Sequence, residues 1–577
     1  MITKVELGSV KNKNMTPQSD SAKGLKVGQP KFAGLGELAL KGIQLCEQYP
    51  MVNVSVLDCS TAIFPRTFFE TFIGSKKKDE NGNHHRKLNI AAGFEAFRRE
   101  ASGLIINCLI PSFLVIATAK ILNRPIMGDY KKSNLSKSWA NSESIDSISK
   151  YYTSAQGNNA ESKIYNALKN MTLDLVGVDG SKEVLFKDVL KNDATYEKLL
   201  KSTAQNIASG HREEMVSNSA FVRWFKNLFG IKSYKNYAQD LFAHIVKKTR
   251  VSENIRFTDK TGYSTSNLKH LLDSSVDILH AAVKENLATD GKNFTKYIAK
   301  AKKLVNAKSA IGLIGLIIPL AISAQPINRW ITHKLSGKSG APIYNDDKDR
   351  HLTPVEKKKL TAEKFFAVPL MWAVAGLSML LDRPSLKMFQ FKGLFPTMDQ
   401  ARIISAATFS SRIAASEDSN ELKESTIRDI ATFSSFYFLG DYAAKGIATL
   451  LQKKTGITLI NKLKECDPNA NIFKKFWHWA KHTTMKSTDE LSVIADKAIR
   501  SKAKNLRATC QLGNLAFSLL SLGIFIPLYT RTQTNKKQKL KEEQEAQAIA
   551  ASATFTNRLS QIPAFQAFTL AETKKAQ

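Results

Sequence analysis

The sequence predicts an all-α integral membrane helical protein with about four transmembrane helices and helical extramembrane regions. Three observations carry that expectation: four long runs free of charge, apolar residues recurring at helical spacing in the polar segments between them, and an average polarity that those runs alone contradict. The run 309–328 holds no charged side chain and is closed by Arg329. As a helix rising 1.5 Å per residue it is about 30 Å long, the thickness of bilayer hydrocarbon. Yet mean hydropathy over the chain is -0.23. A minority of residues therefore carries most of the hydrophobicity, and the remainder is wet.

Taken in order, residues 1–31 read as a disordered basic lead with no apolar segment of the secretory type, so no cleavable signal is expected. A mixed region, 32–100, follows, with a helix near Leu35 to Cys46. Its alternation Val52-Asn-Val-Ser-Val-Leu-Asp58 suggests a short strand; beyond it come the aromatic stretch Phe64 to Phe72 and a charged loop, 76–87. A helix bearing Phe94, Phe97, Arg98 and Arg99 leads into the first spanning segment, 101–124, whose apolar part ends at Lys120.

Residues 125–308 read as a helical extramembrane domain entered through a Ser/Asn-rich linker, 133–148. Leu268, Leu271, Leu272, Val276, Leu279 and Val283 recur at helical spacing there. Around Trp224 an aromatic helix with Arg223 and Lys226 fits either a domain core or a membrane interface. The second span, 309–328, is followed by a short basic loop, 329–364, and a third span, 365–381. A second helical extramembrane region, 382–507, precedes the fourth span, 508–530. The tail, 531–577, begins basic and helical, then fades into disorder.

One further stretch, 430–451, is decided by magnitude. Each charge at a helix centre costs about 2.5 to 3.5 kcal/mol on insertion, and each Leu, Ile, Phe or Val returns about 0.3 to 0.6. Asp441 and Lys445 together outweigh the apolar side chains around them, so the stretch is expected outside the bilayer. The pair then reads as an acid four residues before a lysine on a helix surface, with an intramembrane ion pair as the sharper alternative.

The runs also share words. Ile121-Leu-Asn-Arg-Pro matches Leu380-Leu-Asp-Arg-Pro, and Gly-x-x-Ile-Pro-Leu occurs at Gly315 and Gly523. That order suggests a duplicated two-helix unit. Orientation rests on the loop 329–364, which carries nine Lys or Arg and is placed in the cytoplasm together with both termini.

The formal charge of +33, from 84 basic and 51 acidic residues, calls for an anionic partner. Anionic phospholipid headgroups fit a chain built this way. Nucleic acid does not, since no stacking motif, zinc finger or helix-turn-helix accompanies the charge. Arg98, Arg99, Arg329 and Trp330 stand at the ends of spans, where interfacial anchors belong. A protein partner would engage the extramembrane helices.

Chemical motifs are sparse. His478 and His482 share a helical face at the spacing of zinc-protease helices, but Trp477 and Trp479 flank the first histidine and no general-base glutamate follows it. They are weak metal candidates. Gly34-Leu-Gly36-Glu-Leu-Ala39 matches a dinucleotide fingerprint in letters without the strand that must precede it. Asp79 to Asn83 begins like a calcium loop and lacks its glycine and final acid. The five cysteines form no CxxC pair. No catalytic residue and no cofactor is expected, and the functional expectation is a non-enzymatic membrane scaffold or interaction protein. The alternatives are a transporter or channel using Asp441 and Lys445, and a soluble protein whose apolar hairpins are buried.

Overall fold

The computed structural model describes residues 50–72, 76–78, 84–86, 90–128, 139–210, 238–287, 291–336, 353–381, 396–417 and 419–525, with a few scattered positions besides. The aromatic stretch around Trp224, the Gly34 and Asp79 motifs, most of the 35–46 helix, positions 133–138 and nearly all of 531–577 lie outside the described residues.

In chain order the described elements are α1 (50–72), β1 (Lys76–Lys78), β2 (His84–Arg86), α2 (90–127), α3 (Ser142–Ser154), α4 (Ala160–Leu173), β3 (Leu175–Asp179), β4 (Lys182–Leu185) and α5 (Phe186–Leu190). There follow α6 (Ala194–Ala208), α7 (Ala238–Thr249), β5 (Arg256–Phe257), α8 (Leu268–Lys284), α9 (291–336) and α10 (Pro354–Leu381). The chain continues with α11 (Met398–Ala414), α12 (419–455), β6 (Ile460–Lys462), α13 (Ile472–His482), β7 (Thr483–Met485), α14 (Thr488–Ser492) and α15 (497–525). The protein is mostly helical, as the periodicity predicts.

Four of these helices, among the described residues, are long and apolar enough to cross a membrane: Gly93–Met127 in α2, Gly291–Lys334 in α9, Pro354–Leu380 in α10 and Lys497–Phe525 in α15. Their most apolar windows are only 31%, 28%, 17% and 39% buried by protein. Helices of a soluble core would be mostly covered. Phe113 on α2, Ile314 on α9, Phe365 and Phe366 on α10 and Leu520 on α15 all point away from the protein.

Among the described residues five helices widen locally to i→i+5 turns, at 59–63, 105–109, 310–317, 435–439 and 519–525. Three of those stretches stop two residues before a proline in the sequence: Pro65, Pro111 and Pro319. Proline has no N–H and its ring crowds the carbonyl four residues back, and a widened turn relieves that contact without breaking the helix.

Seven helices run alternately up and down a common bundle: α1, α2, α9, α10, α11, α12 and α15. One end, the domain end, is fixed by Gln390, just before α11, whose Oε1 accepts from the N–H and Oγ of Ser142 at 2.8 and 2.9 Å. Its Nε2 donates to Asn306 of α9 at 2.7 Å. The opposite, loop end is fixed by Arg329 near the end of α9, which reaches Glu417 and Glu421 at 2.7 and 2.6 Å. Hence α11 descends from the domain end and α12 climbs back. Buried along nearly its whole length, α11 packs against α9 and α10.

The pairing of α1 with its neighbours gives its direction. Asn53 accepts from Gln511 of α15 at 2.9 Å, and the backbone near Thr61 lies against Gly523. Therefore α1 runs parallel to α15, from the domain end to the loop end.

The domain outside the bundle is α3 to α8 with the three-stranded antiparallel sheet β4-β3-β5, around a core that includes Ile148, Leu168, Phe186, Tyr196, Leu241 and Leu279. The first half of α9 belongs to that core through Phe294, Tyr297, Ala301 and Leu304, and its second half is the apolar run 309–328. One unbroken helix thus joins domain to bundle. β6 and β7 pair antiparallel and dock on the domain, where the Lys462 N–H donates to Gly180 O at 2.6 Å. Gly180 makes the turn between β3 and β4 at φ 69°, a conformation that favours glycine.

Several expectations change. The strand at 52–58 is helical, because Val54 and Leu57 are buried three residues apart on one face of α1. The charged loop 76–87 contains the β1–β2 hairpin. Within the linker 133–148, residues 142–148 are the start of α3: the Asn141 side chain caps it by accepting from Ser144 N at 2.9 Å, and Glu143 accepts from Thr265 N at 3.1 Å. Polar composition there reflects hydrogen bonding between buried groups, not solvent. Finally, 382–507 is two things, the hairpin α11–α12 inside the bundle and the β6–α14 segment on the domain.

Candidate functional site

At the loop end, the arginines and acids just outside the apolar run of α2 converge from four other helices as well. Arg66 of α1 pairs with Glu100, the residue before the first apolar run. Arg412, near the end of α11, lies 3.9 Å from the same carboxylate and holds Asp429 of α12 through Nε at 2.7 Å and a second guanidinium nitrogen. Arg428 adds a contact to Asp429 at 3.6 Å. The result is a chain of alternating charge, Arg66–Glu100–Arg412–Asp429–Arg428. Asp429 is fully buried.

Beside it Arg329 of α9 spans Glu417 and Glu421, and Arg98 of α2 donates to Asn328 at 3.0 Å and Thr332 at 2.7 Å. Asn328 in turn donates to Ser102 at 2.7 Å. Arg98 and Arg329, expected as interfacial anchors, are thus half-buried ties between helices. Trp330 is exposed, with the Lys334 ammonium 4.7 Å from its ring centre. The side chain of Arg99 lies outside the described residues.

Such a network holds helices together more than it moves protons. A guanidinium does not give up its proton near neutral pH. Removing one partner from a buried pair leaves an uncompensated charge, at a cost of about 3 to 5 kcal/mol.

Asp441 and Lys445 lie halfway up α12, the helix that packs on α15, and both are half-buried. The Lys445 ammonium sits 5.2 Å from the Tyr442 ring centre. Around them the bundle is polar within: Thr408 donates to Asn107 at 2.9 Å, Arg402 donates to the Tyr437 carbonyl at 2.9 Å, and Ser405 meets the Tyr437 hydroxyl at 2.6 Å. His478 and His482 stack with ring centres 4.6 Å apart on α13. No group of three or more His, Cys, Asp or Glu able to hold a metal occurs among the described residues.

A second cluster locks the β6–α14 segment to the domain. Glu490 is the N3 residue of the α14 capping box, accepting from Ser487 N at 3.2 Å, and it also accepts from Ser252 N at 3.0 Å, Glu253 N at 3.1 Å and Asn461 Nδ2 at 3.2 Å. Burial raises its pKa, and those backbone donors partly offset the rise. Burial and then the neighbouring Glu490 push Glu253 up to about 7.

Nothing in the sequence marks these clusters, because their members come from distant segments. Only Glu100, abutting an apolar run, carries a local signal. Fold and site together define a helical bundle with an apolar outer surface, an ion-paired interior at one end and, at the other, a polar domain joined to it by a continuous helix. No family model, no curated protein and no solved structure matches the chain.

Proposed function

We propose that the protein is a multi-pass membrane scaffold: a bundle set in the bilayer that holds a helical domain at fixed height and orientation against anionic headgroups, as a platform for a protein partner. The observation that carries this reading is the continuity of α9, whose first half lies in the domain core and whose second half is the apolar run. The domain cannot swivel independently of the bundle. Gln390 and the Glu490 cluster add two further ties.

In this reading the bilayer contacts α2, α9, α10 and α15 directly. α11 crosses with them shielded by protein, and α1 and α12 cross partly shielded, with Phe64, Phe68, Leu439 and Leu450 exposed, so that seven segments pass through and not four. The basic loop between α9 and α10 faces the cytoplasm by the positive-inside rule. The domain and the β6–α14 segment then share the other side.

Carbonate washing of membranes tests the first step: retention in the pellet is expected, and release would overturn the reading. Affinity capture of the intact protein in mild detergent tests the second, with a stoichiometric partner bound to the domain as the expected result.

A transporter or channel is the second reading, favoured by the polar interior around Asn107, Arg402, Tyr437 and Asp441. Proteoliposome flux compared between the wild type and Asp441→Asn separates the two. Solute-dependent flux lost in the variant would favour transport, and leak-level flux in both favours the scaffold.

A further inference from the structure

We propose that α13 is an interfacial membrane anchor, lying in the headgroup region of an anionic bilayer at the domain end of the bundle. The inference rests on the membrane reading above and assigns it a specific contact. Ile472 and Phe473 are each 84% exposed, and Phe476 and Trp477, one turn on, are also exposed. Positions i, i+1, i+4 and i+5 fall on one helical face. Lys474, Lys475 and Lys481 are exposed alongside.

Depth is given by what the other face touches. Trp479 donates from Nε1 to Thr449 of α12 at 3.4 Å, and its ring lies 6.3 Å from Tyr442. The adjacent turns of α12 are level with the start of the fourth apolar run. Ala448 shares a core with Cys510, and Gly440 lies against Asn514. The helix therefore sits over the outermost two turns of that run, about 10 Å of depth. Interfacial helices bury their apolar face about 5 to 10 Å into the boundary between headgroups and acyl chains.

The occupant follows from charge and continuity. The face is apolar and aromatic, its edges are cationic, and it continues the exposed surface of Leu450 and Leu512 on the neighbouring helices. A lipid surface with negative headgroups matches all three features. An acidic protein would match the lysines and leave four large apolar side chains in water.

The test uses the full chain in sealed proteoliposomes with and without phosphatidylglycerol. Exposed Cys466 is replaced by serine, a nitroxide is attached at Phe473→Cys, and the signal of the parent without the added cysteine is subtracted. A label at Lys201→Cys, exposed on the domain, serves as the aqueous reference.

The expected result is an oxygen-to-nickel-complex accessibility ratio several-fold above the reference in anionic vesicles, falling toward it in neutral vesicles or with Lys474→Glu and Lys475→Glu. A ratio equal to the reference in anionic vesicles would overturn the proposal, as would low accessibility to both reagents, which marks cover by protein. A ratio indifferent to vesicle charge would overturn the anionic assignment. If the chain stays in carbonate-washed membranes while the label reads as aqueous, the anchor alone fails; if the chain washes off, the membrane reading fails too.

Discussion

Asp429 is the residue on which the loop-end network turns, since it makes the closest contact with Arg412 and touches Arg428 while fully buried. Asp429→Ala is expected to destabilise the protein by about 3 to 5 kcal/mol, the cost of stranding buried charge. Glu183→Ala, which removes the half-exposed partner of Arg256, should cost about 0 to 1 kcal/mol. Thermal unfolding in detergent compares the two, and equal losses would refute a buried-network role. Glu253 makes a pH prediction. Its carboxyl titrates at about 7 in the folded protein against an ordinary 4.5, beside Glu490, Asp489 and Lys392. Between those values the folded state keeps a proton that the unfolded chain releases. Its contribution is therefore complete below 4.5 and lost as pH rises through about 7. Glu253→Gln should flatten that decline and raise the melting temperature at pH 8; an unchanged pH profile would refute the assignment. Neither residue announces itself in the sequence. Asp429 looks like one acid among many on a polar helix, and Glu100, the carboxylate that shares Arg412 with it, is more than three hundred positions away. Asp441 and Lys445 stand out because an apolar background surrounds them locally, which is what inspection of a linear string can detect.

At the scale of helices, the apolar runs were legible because an outer helix must be greasy on its own account. The helices they enclose were not. α11 carries Arg402, Ser405, Thr408, Ser411 and Arg412, the composition of a soluble helix, and each of these reaches a partner on α9, α12 or α2. Insertion energies treat every side chain as facing lipid. Asp441 of α12 is half-buried, a setting that premise leaves out. Close packing of α12 on α15 relies on glycine. A Cβ at Gly440 would stand 2.2 Å from Asn514 Oδ1 and 2.8 Å from the Ser435 carbonyl, the latter brought near by the widened turn. Gly446, two turns on, has nothing within 4 Å. Gly440→Ala is therefore expected to cost about 1 to 3 kcal/mol through overpacking. Gly446→Ala should gain up to about 1 kcal/mol in helix propensity. Opposite signs in thermal unfolding are the outcome sought; a gain in both would show that propensity, not packing, governs this helix. The repeated words at Ile121 and Leu380 have no matching arrangement: α2 packs along α9, whereas α10 packs on α11 and α12, and α15 on α12.

For the whole molecule, the alternation of seven helices carries a topological consequence that hydropathy misses. Four spans return the chain to the side it began on, so both termini were expected with the basic loop in the cytoplasm. In the proposed topology α1 adds a crossing, and the α11–α12 hairpin adds two that cancel. With Asn53 level with Gln511 and Thr61 level with Gly523, α1 starts at the domain end and finishes at the loop end. The segment preceding α1 then leaves on the domain side, while α15 delivers the C-terminal tail to the loop side. Epitope tags at the two ends, probed with protease in sealed, oriented vesicles, should give opposite results: one tag cleaved, the other protected until the membrane is opened. Exposed Cys466 should react with an impermeant maleimide on the same side as the N-terminal tag. Protection of both tags together would show that α1 enters and leaves on one face. The alternating bundle would then be a re-entrant packing rather than a set of crossings, even though the four apolar helices still required lipid.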